Sequence, residues 1–224
     1  MEDTLDHSAP DPAGRLGDGN LARAWLVLVL ALVLGAALAA VQVYLSPIIA
    51  ANKRNETLRQ VPALVGIDPA SLKPGALEIR SGIFEVPANG AARFYRVFLV
   101  RRGGRPAGWV VRTAGQGYAD RIEALIGFDP GVTAITGLFI LEQKETPGLG
   151  AKIVLPSWRR QFVGRRTAVP LEVVKGRGAK GQGIDAVSGA TISSRSVVRI
   201  VNRTVRDLAG RLTPEAVRFS GGGS

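Results

Sequence analysis

No cysteine occurs in this chain, histidine appears once as His7, and the only methionine is Met1. Without thiols there is no disulfide, no thiolate zinc site and no cysteine-ligated iron–sulfur cluster. His7 lies in a polar, acidic N-terminal stretch, so haem ligation, histidine metal centres and a Ser-His-Asp triad all lack their residues. Any redox chemistry here needs an organic carrier. Acids are also scarce beyond the N-terminal stretch: from Ala24 onward 27 Lys and Arg face 13 Asp and Glu, a net of +14. That balance suits anionic lipid, an acidic partner subunit or a phosphorylated ligand. Nucleic acid is not expected as a partner, because the basic residues are scattered and no reading module is visible.

What is present begins with an organisation in segments. Residues 1–20 are rich in Asp, Pro and Gly and read as a disordered tail. Ala24–Leu45 then carries no charge over 22 residues, with Trp25 and Tyr44 at its ends. At ~1.5 Å per residue this crosses a hydrocarbon core of roughly 30 Å. The run is too long for a signal-peptide core and follows an acidic tail, so a retained transmembrane helix is expected over 21–46. Arg15 and Arg23 before the span and Lys53, Arg54 and Arg59 after it hardly favour either orientation. A membrane-proximal helical segment is expected over 47–75, a folded domain over 76–215 and a tail over 216–224. The closing Ser220–Ser224 run resembles a linker.

Within the domain, strand-like runs are read at Ala76–Val86, Phe94–Val100, Gly108–Thr113, Ile122–Phe128, Val132–Leu141 and Leu171–Val174. A hairpin turn is expected at Arg101–Pro106 and a short helix at Ser157–Val163. Val197, Val201, Val205, Leu208 and Leu212 recur at helical spacing and predict a final helix over Thr191–Leu212. Strands followed by segregated helices make the fold class α+β.

Three glycine-bearing loops carry the chemical signal. Asp185-Ala-Val-Ser-Gly-Ala-Thr191 runs straight into the start of the last helix. Small residues there let a bulky ligand approach, and the unpaired N–H groups of a helix start favour a phosphate. Thr191 could be esterified by that phosphate, or could be a helix N-cap, and the pattern alone leans to the cap. Glu142-Gln-Lys-Glu-Thr-Pro-Gly-Leu-Gly150 is a tight turn that could fold over a flat ring with Leu149 as its apolar contact, or be a surface turn. Gly115-Gln-Gly117-Tyr118-Ala-Asp120 is a third loop, with an aromatic able to stack. By contrast, Gly176–Gly181 matches GxGxxG but is followed by no helix, which argues against a dinucleotide site.

Taken together, GQGYADRIEALIGFD, ETPGLG, SWRRQF and DAVSGATISS before a helix resemble, in that order, the FMN-binding domain of membrane redox complexes. These are the Rnf-type ferredoxin:NAD oxidoreductase and the sodium-pumping NADH:quinone reductase. The resemblance covers about residues 20–212 and departs at Ala119-Asp120, where relatives commonly carry a glycine pair.

The resemblance implies FMN joined by a phosphoester to Thr191 through a flavin transferase, making the chain a covalent flavoprotein and a phosphoprotein. It implies Ser188, Gly189, Ala190 and Asp185 around the phosphate, and Glu145, Thr146, Gly148, Leu149 and Tyr118 near the ring. It also implies an electron-relay subunit in the bacterial inner membrane, with its main domain periplasmic and the first 20 residues cytoplasmic. Its partners are the lipid bilayer and the other subunits of an ion-translocating complex. Length favours the G subunit of the Rnf complex, and the C subunit of the quinone reductase is the alternative. No catalytic acid or base is visible, and no turnover is expected from the protein alone. A non-redox anchored module that binds an acidic partner, or a hydrolase using Ser188 with a lysine base, are readings of other classes.

Overall fold

The computed structural model describes residues 18–68, 76–87, 92–176, 178 and 180–220. The tail over 1–20 therefore lies almost wholly outside the described residues, as do 69–75 of the membrane-proximal segment, 221–224, and Arg177 and Ala179 of the glycine run. The chain divides into two units, Met1–Asn52 and Lys53–Ser224. Helix α1, Asp18–Leu64, begins in the first and ends in the second. Within the first unit its large apolar side chains, from Trp25 to Ile49, are exposed all round. A helix that is apolar on every face and unburied has the character of a bilayer span rather than a core helix.

The second unit is built on an antiparallel meander. Strands β1 (Leu77–Val86), β2 (Arg93–Arg102), β3 (Arg105–Gln116), β4 (Arg121–Phe128) and β5 (Ile135–Glu142) pair in sequence order. Their residues alternate between two cores, as the pleat demands. Tyr95, Val97, Leu99, Trp109 and Val111 face one cluster, while Phe98, Val100 and Val110 face the other. The first face is covered by α3 (Thr191–Leu208). Gly115 allows its close approach, since a Cβ there would lie 2.6 Å from Ile200 Cγ1, and Thr113 and Thr204 join their hydroxyls at 2.8 Å. The second face is covered by the last turns of α1 through Val61 and Leu64. There Thr136 Oγ1 donates to the Leu64 carbonyl at 2.6 Å, and Gly127 and Gly137 leave room for that backbone.

Short elements complete the unit: α2 (Pro156–Arg159), β6 (Glu172–Val174), β7 (Gly183–Asp185) and β8 (Arg218–Phe219). β6 and β7 form a separate parallel pair, and β8 adds to the outer edge of β1. Several boundaries differ from expectation: β3 runs over Arg105–Gln116 instead of Gly108–Thr113, because its pairing with β2 and β4 continues to the strand ends and narrows the turn expected at Arg101–Pro106. β5 starts at Ile135 instead of Val132, because Asp129 gathers the N–H groups of Thr133 (2.6 Å) and Ala134 (2.8 Å) into a turn. The helix expected over 157–163 is α2 followed by a 3₁₀ turn, Arg160–Phe162. α3 stops at Leu208, and Leu212 still reaches the core through its N–H bond to the Leu208 carbonyl at 3.0 Å. Finally, the segment expected as a tail from 216 contains β8.

One buried pair of groups gives the fold a pH signature. The Tyr95 hydroxyl donates to Asp207 Oδ2 at 2.7 Å, and Arg93 bonds the same oxygen at 3.1 Å. Burial, then the carboxylate acceptor, push the Tyr95 phenol up to about 12. An unfolded tyrosine loses its proton near pH ~10. Between these values the native state holds a proton that the unfolded state has lost, so this stabilisation is full below pH ~10 and disappears as pH rises through the folded value. Urea titrations should show wild type losing about 2–3 kcal/mol more than Tyr95→Phe over that interval. Parallel loss in both proteins would remove Tyr95 as the cause.

Candidate functional site

Three loops converge beside the head of α3, and Glu145 joins them. The connection between β3 and β4 is closed by the Gly117 N–H, which donates to the Asp120 carbonyl at 2.8 Å. Glu145 enters from the loop after β5 and is only 3% exposed. Its Oε1 accepts the N–H groups of Tyr118 (2.9 Å) and Ala119 (3.2 Å), and its Oε2 accepts the Ser193 hydroxyl at 2.5 Å. Gly117 and Gly150 make room for this carboxylate. A Cβ on Gly117 would collide with Glu145 Oε1, and one on Gly150 would lie 2.8 Å from both Glu145 Cβ and Ser193 Oγ. The second glycine of GQG, Gly117, and the second of GLG, Gly150, are thus required by a buried acid. At the rim, the Arg121 N–H and the Lys144 ammonium hold the Asp120 carboxyl below its ordinary range.

The second convergence joins Gly148-Leu149 to Ser188-Gly189. Gly189 has φ +77°, and a Cβ there would lie 2.9 Å from Leu149 Cδ2. Leu149 therefore rests on the SGAT loop while its side remains 45% exposed. Gly148, also in the left-handed region at φ +74°, turns the chain to place it. Thr146 is exposed; its carbonyl closes the turn by accepting the N–H groups of Leu149 (3.2 Å) and Ala151 (3.1 Å). Tyr118 is 62% exposed beside them.

The head of α3 bears on the capping reading of Thr191. The N-cap is Ala190, buried and without any side-chain cap bond, and Thr191 is the first helical residue. The capping role is therefore not filled by Thr191, whose hydroxyl makes no hydrogen bond among the described residues. Ser194 ties the approach instead, its Oγ accepting the Val187 N–H at 3.0 Å and donating to the Ala190 carbonyl at 3.1 Å. The first backbone bond of the helix runs from Ser194 N–H to Ala190 O at 3.1 Å. The N–H groups of Thr191, Ile192 and Ser193 are thus left without acceptors among the described residues, at the positive end of an 18-residue helix.

Asp185 has a different position from the other expected residues. Its backbone is clamped by the SWRRQF segment: Trp158 Nε1 donates to its carbonyl at 2.8 Å, and its N–H donates to Gln161 Oε1 at 2.7 Å. Its carboxylate accepts the Gly178 N–H at 3.0 Å, turned towards the glycine run. Sequence reasoning missed Ser193, Ser194, Trp158 and Gln161. The signal was two adjacent serines in the first turn of a helix, where hydroxyls usually bond local backbone.

Residues 117–206 match the model of the FMN-binding domain, a stretch that takes in most of the first loop, the other two loops and most of α3. The G subunit of the Na(+)-translocating ferredoxin:NAD(+) oxidoreductase complex of Acetobacterium woodii is 38% identical over 113 residues, covering 49% of this chain and 53% of that protein. The C subunit of the Na(+)-translocating NADH-quinone reductase of Vibrio anguillarum is 35% identical over 108 residues, covering 45% and 42%. The matches thus span about half the length of these curated relatives. The crystal structure of Shewanella oneidensis NqrC shares the fold, with a TM-score of 0.58 at 23% identity over 69% of this chain and 93% of that one.

Proposed function

We propose, from the premise that residues 117–206 belong to the FMN-binding domain family, that this chain holds FMN covalently through a phosphoester to Thr191 and serves as a one-electron relay. The observation that carries this reading is the head of α3. A hydroxyl and three N–H groups stand there without partners among the described residues, at a positive helix end. The group fits these residues: the N–H groups of Thr191, Ile192 and Ser193 would hold the phosphate, and the small residues Ser188, Gly189 and Ala190 admit it. Leu149, Tyr118, Gly148 and Thr146 border the exposed rim where a flat ring would lie. Glu145 contributes through the backbone of the ring-side loop, since both its oxygens are already bonded. Asp185 contributes by fixing the entry to the SGAT loop. The bound group supplies reversible electron storage, and the protein's part is to orient it and exclude water.

The linkage is tested on the denatured chain. In a host with the flavin transferase, the denatured band should fluoresce, and intact mass should exceed the chain by one FMN less water. A dark wild-type band from such a host overturns the reading.

By its name, each curated relative above belongs to an ion-translocating redox assembly. We infer that this chain is the corresponding component, with the Rnf-type G subunit favoured and the quinone-reductase C subunit as the alternative. The chain is then a single-pass protein of the inner membrane, anchored by residues 21–46, with the domain at 76–215 on the periplasmic side, where the transferase works. Protease added to intact spheroplasts should digest everything beyond residue 46. Survival of that portion until lysis would reverse the topology.

Leu149 gives a test of the ring-side loop. Leu149→Glu places a carboxylate where the reduced, more negative forms of the ring would lie, and like charges in a poorly solvated site repel. The flavin potential should fall while attachment at Thr191 persists. An unchanged spectrum and potential would make the loop a turn and nothing more.

A further inference from the structure

The outer face of α3 carries arginines at 195, 199, 203 and 206, spacings of four, four and three that keep them on one stripe. Together with Arg93 they line an open cleft of about 540 Å³ whose other walls are Val173, Val198 and Asn202. Compensation is almost absent. Among the described residues Asp207 is already taken by Arg93 and Tyr95, and Glu172, beside Val173, forms no ion pair with the stripe. Arg203 bonds the Ala114 carbonyl. Arg195, Arg199 and Arg206 make no ion pair or hydrogen bond among the described residues. Three such guanidinium groups on one helix face repel one another and hold no structure together.

We propose that this stripe is the docking surface for an acidic protein segment, a run of Asp and Glu on a partner protein. The inference rests on the reading that the chain works inside a multi-subunit redox complex. Three features favour protein carboxylates as the occupant. The cations are all arginine, whose planar fork matches a carboxylate with two parallel bonds. One of the arginines that line the cleft already pairs with a carboxylate outside it, since Arg93 bonds Asp207 at 3.1 Å. Val173, Val198 and Asn202 offer apolar and amide surface between the charges, which suits a polypeptide. The stripe also starts one turn after Thr191 on the same helix. A partner seated there is adjacent to the residue proposed to bear the cofactor, so docking and electron delivery share one element.

The test replaces Arg195, Arg199 and Arg206 together by Lys, which keeps the charge and supplies amines, and in a second variant by Gln. Each full chain is expressed in its native membranes in place of wild type, and a carbodiimide then joins amines to carboxylates at ion-pair distance. The Lys variant should yield amide-linked peptides joining α3 to Asp or Glu of another polypeptide, absent from wild type. Their yield should drop about tenfold between about 0.05 M and about 0.5 M salt, as contacts between exposed charges are screened. The Gln variant should keep its fluorescent flavin band yet leave the native complex at least about tenfold more readily on salt washing. Retention of the Gln variant equal to wild type, or a Lys variant without intermolecular links, overturns the proposal. So does binding of the purified protein to anionic phosphatidylglycerol vesicles that the Gln variant loses while its place in the complex is unaffected; the surface would then belong to lipid. A wild-type band without flavin would instead overturn the functional reading, and the cross-link result stands apart from it.

Discussion

Thr191→Ala should abolish covalent flavin completely while leaving the domain as stable as the wild-type chain made without flavin. The two halves of that expectation come from one observation. Thr191 occupies the first helical position and Ala190 the cap, with no side-chain cap bond from either. Were Thr191 the cap, its loss would cost about 1 kcal/mol of stability. At the first helical position alanine is a better helix former than threonine by about a few tenths of a kcal/mol, so melting should be unchanged or slightly raised. The hydroxyl has no bond to lose among the described residues, and its removal takes away only the atom that would bear the phosphate. Intact mass should fall to that of the bare chain, and Thr191→Ser, which restores a hydroxyl at the same place, should recover the adduct. A melting point below that of the flavin-free wild-type chain would return Thr191 to a structural role. Flavin retained on the Ala variant would move the linkage to another residue.

Much of this was legible in the residue order, and the limits of legibility have physical causes. The five long strands announce themselves because β1 alternates between a buried and an exposed face, while β2 to β5 are largely apolar where both faces are covered. The start of α3 is visible as a small-residue loop giving way to helical spacing. Its end is less so: Leu212 continues the apolar period, yet the chain leaves the helix at Ala209 and turns at Gly210, φ +71°. β7 and β8, of three and two residues, have no period of their own and exist only through their partners. The same cause hides the role of Glu145. As a residue in ETPGLG it reads as a polar group offered to a ligand. Its real partners are 27 residues behind it, at Tyr118, and 48 ahead, at Ser193. Only the fold reveals that Gly117 and Gly150 leave the space for one carboxylate. The SWRRQF motif is similar: its conspicuous Trp158 and its unremarked Gln161 both clamp Asp185, and the spacing of motifs along the chain does not show that they touch.

Glu145→Ala is accordingly expected to be the most damaging single substitution in the site, by a route opposite to that of Thr191. It leaves the Tyr118 and Ala119 N–H groups and the Ser193 hydroxyl without their shared acceptor. Each stranded polar group costs about 1–3 kcal/mol, and since relaxation and water recover part of this, a total of about 3–5 kcal/mol is expected. For a unit of this size that lowers the melting point by about 10 °C. Flavin loading should decline as well, although Thr191 is untouched, because the loop carrying Leu149 is no longer held against Gly189. Glu145→Gln separates geometry from charge. Its amide oxygen can still accept both N–H groups, and the Ser193 hydroxyl can reverse to accept from the amide nitrogen. Gln should therefore retain most of the stability, within about 1 kcal/mol of wild type, and most of the flavin. An Ala variant that melts with wild type would show that water replaces the carboxylate without loss. A Gln variant as damaged as Ala would show that the negative charge, rather than the acceptor geometry, holds the three loops together.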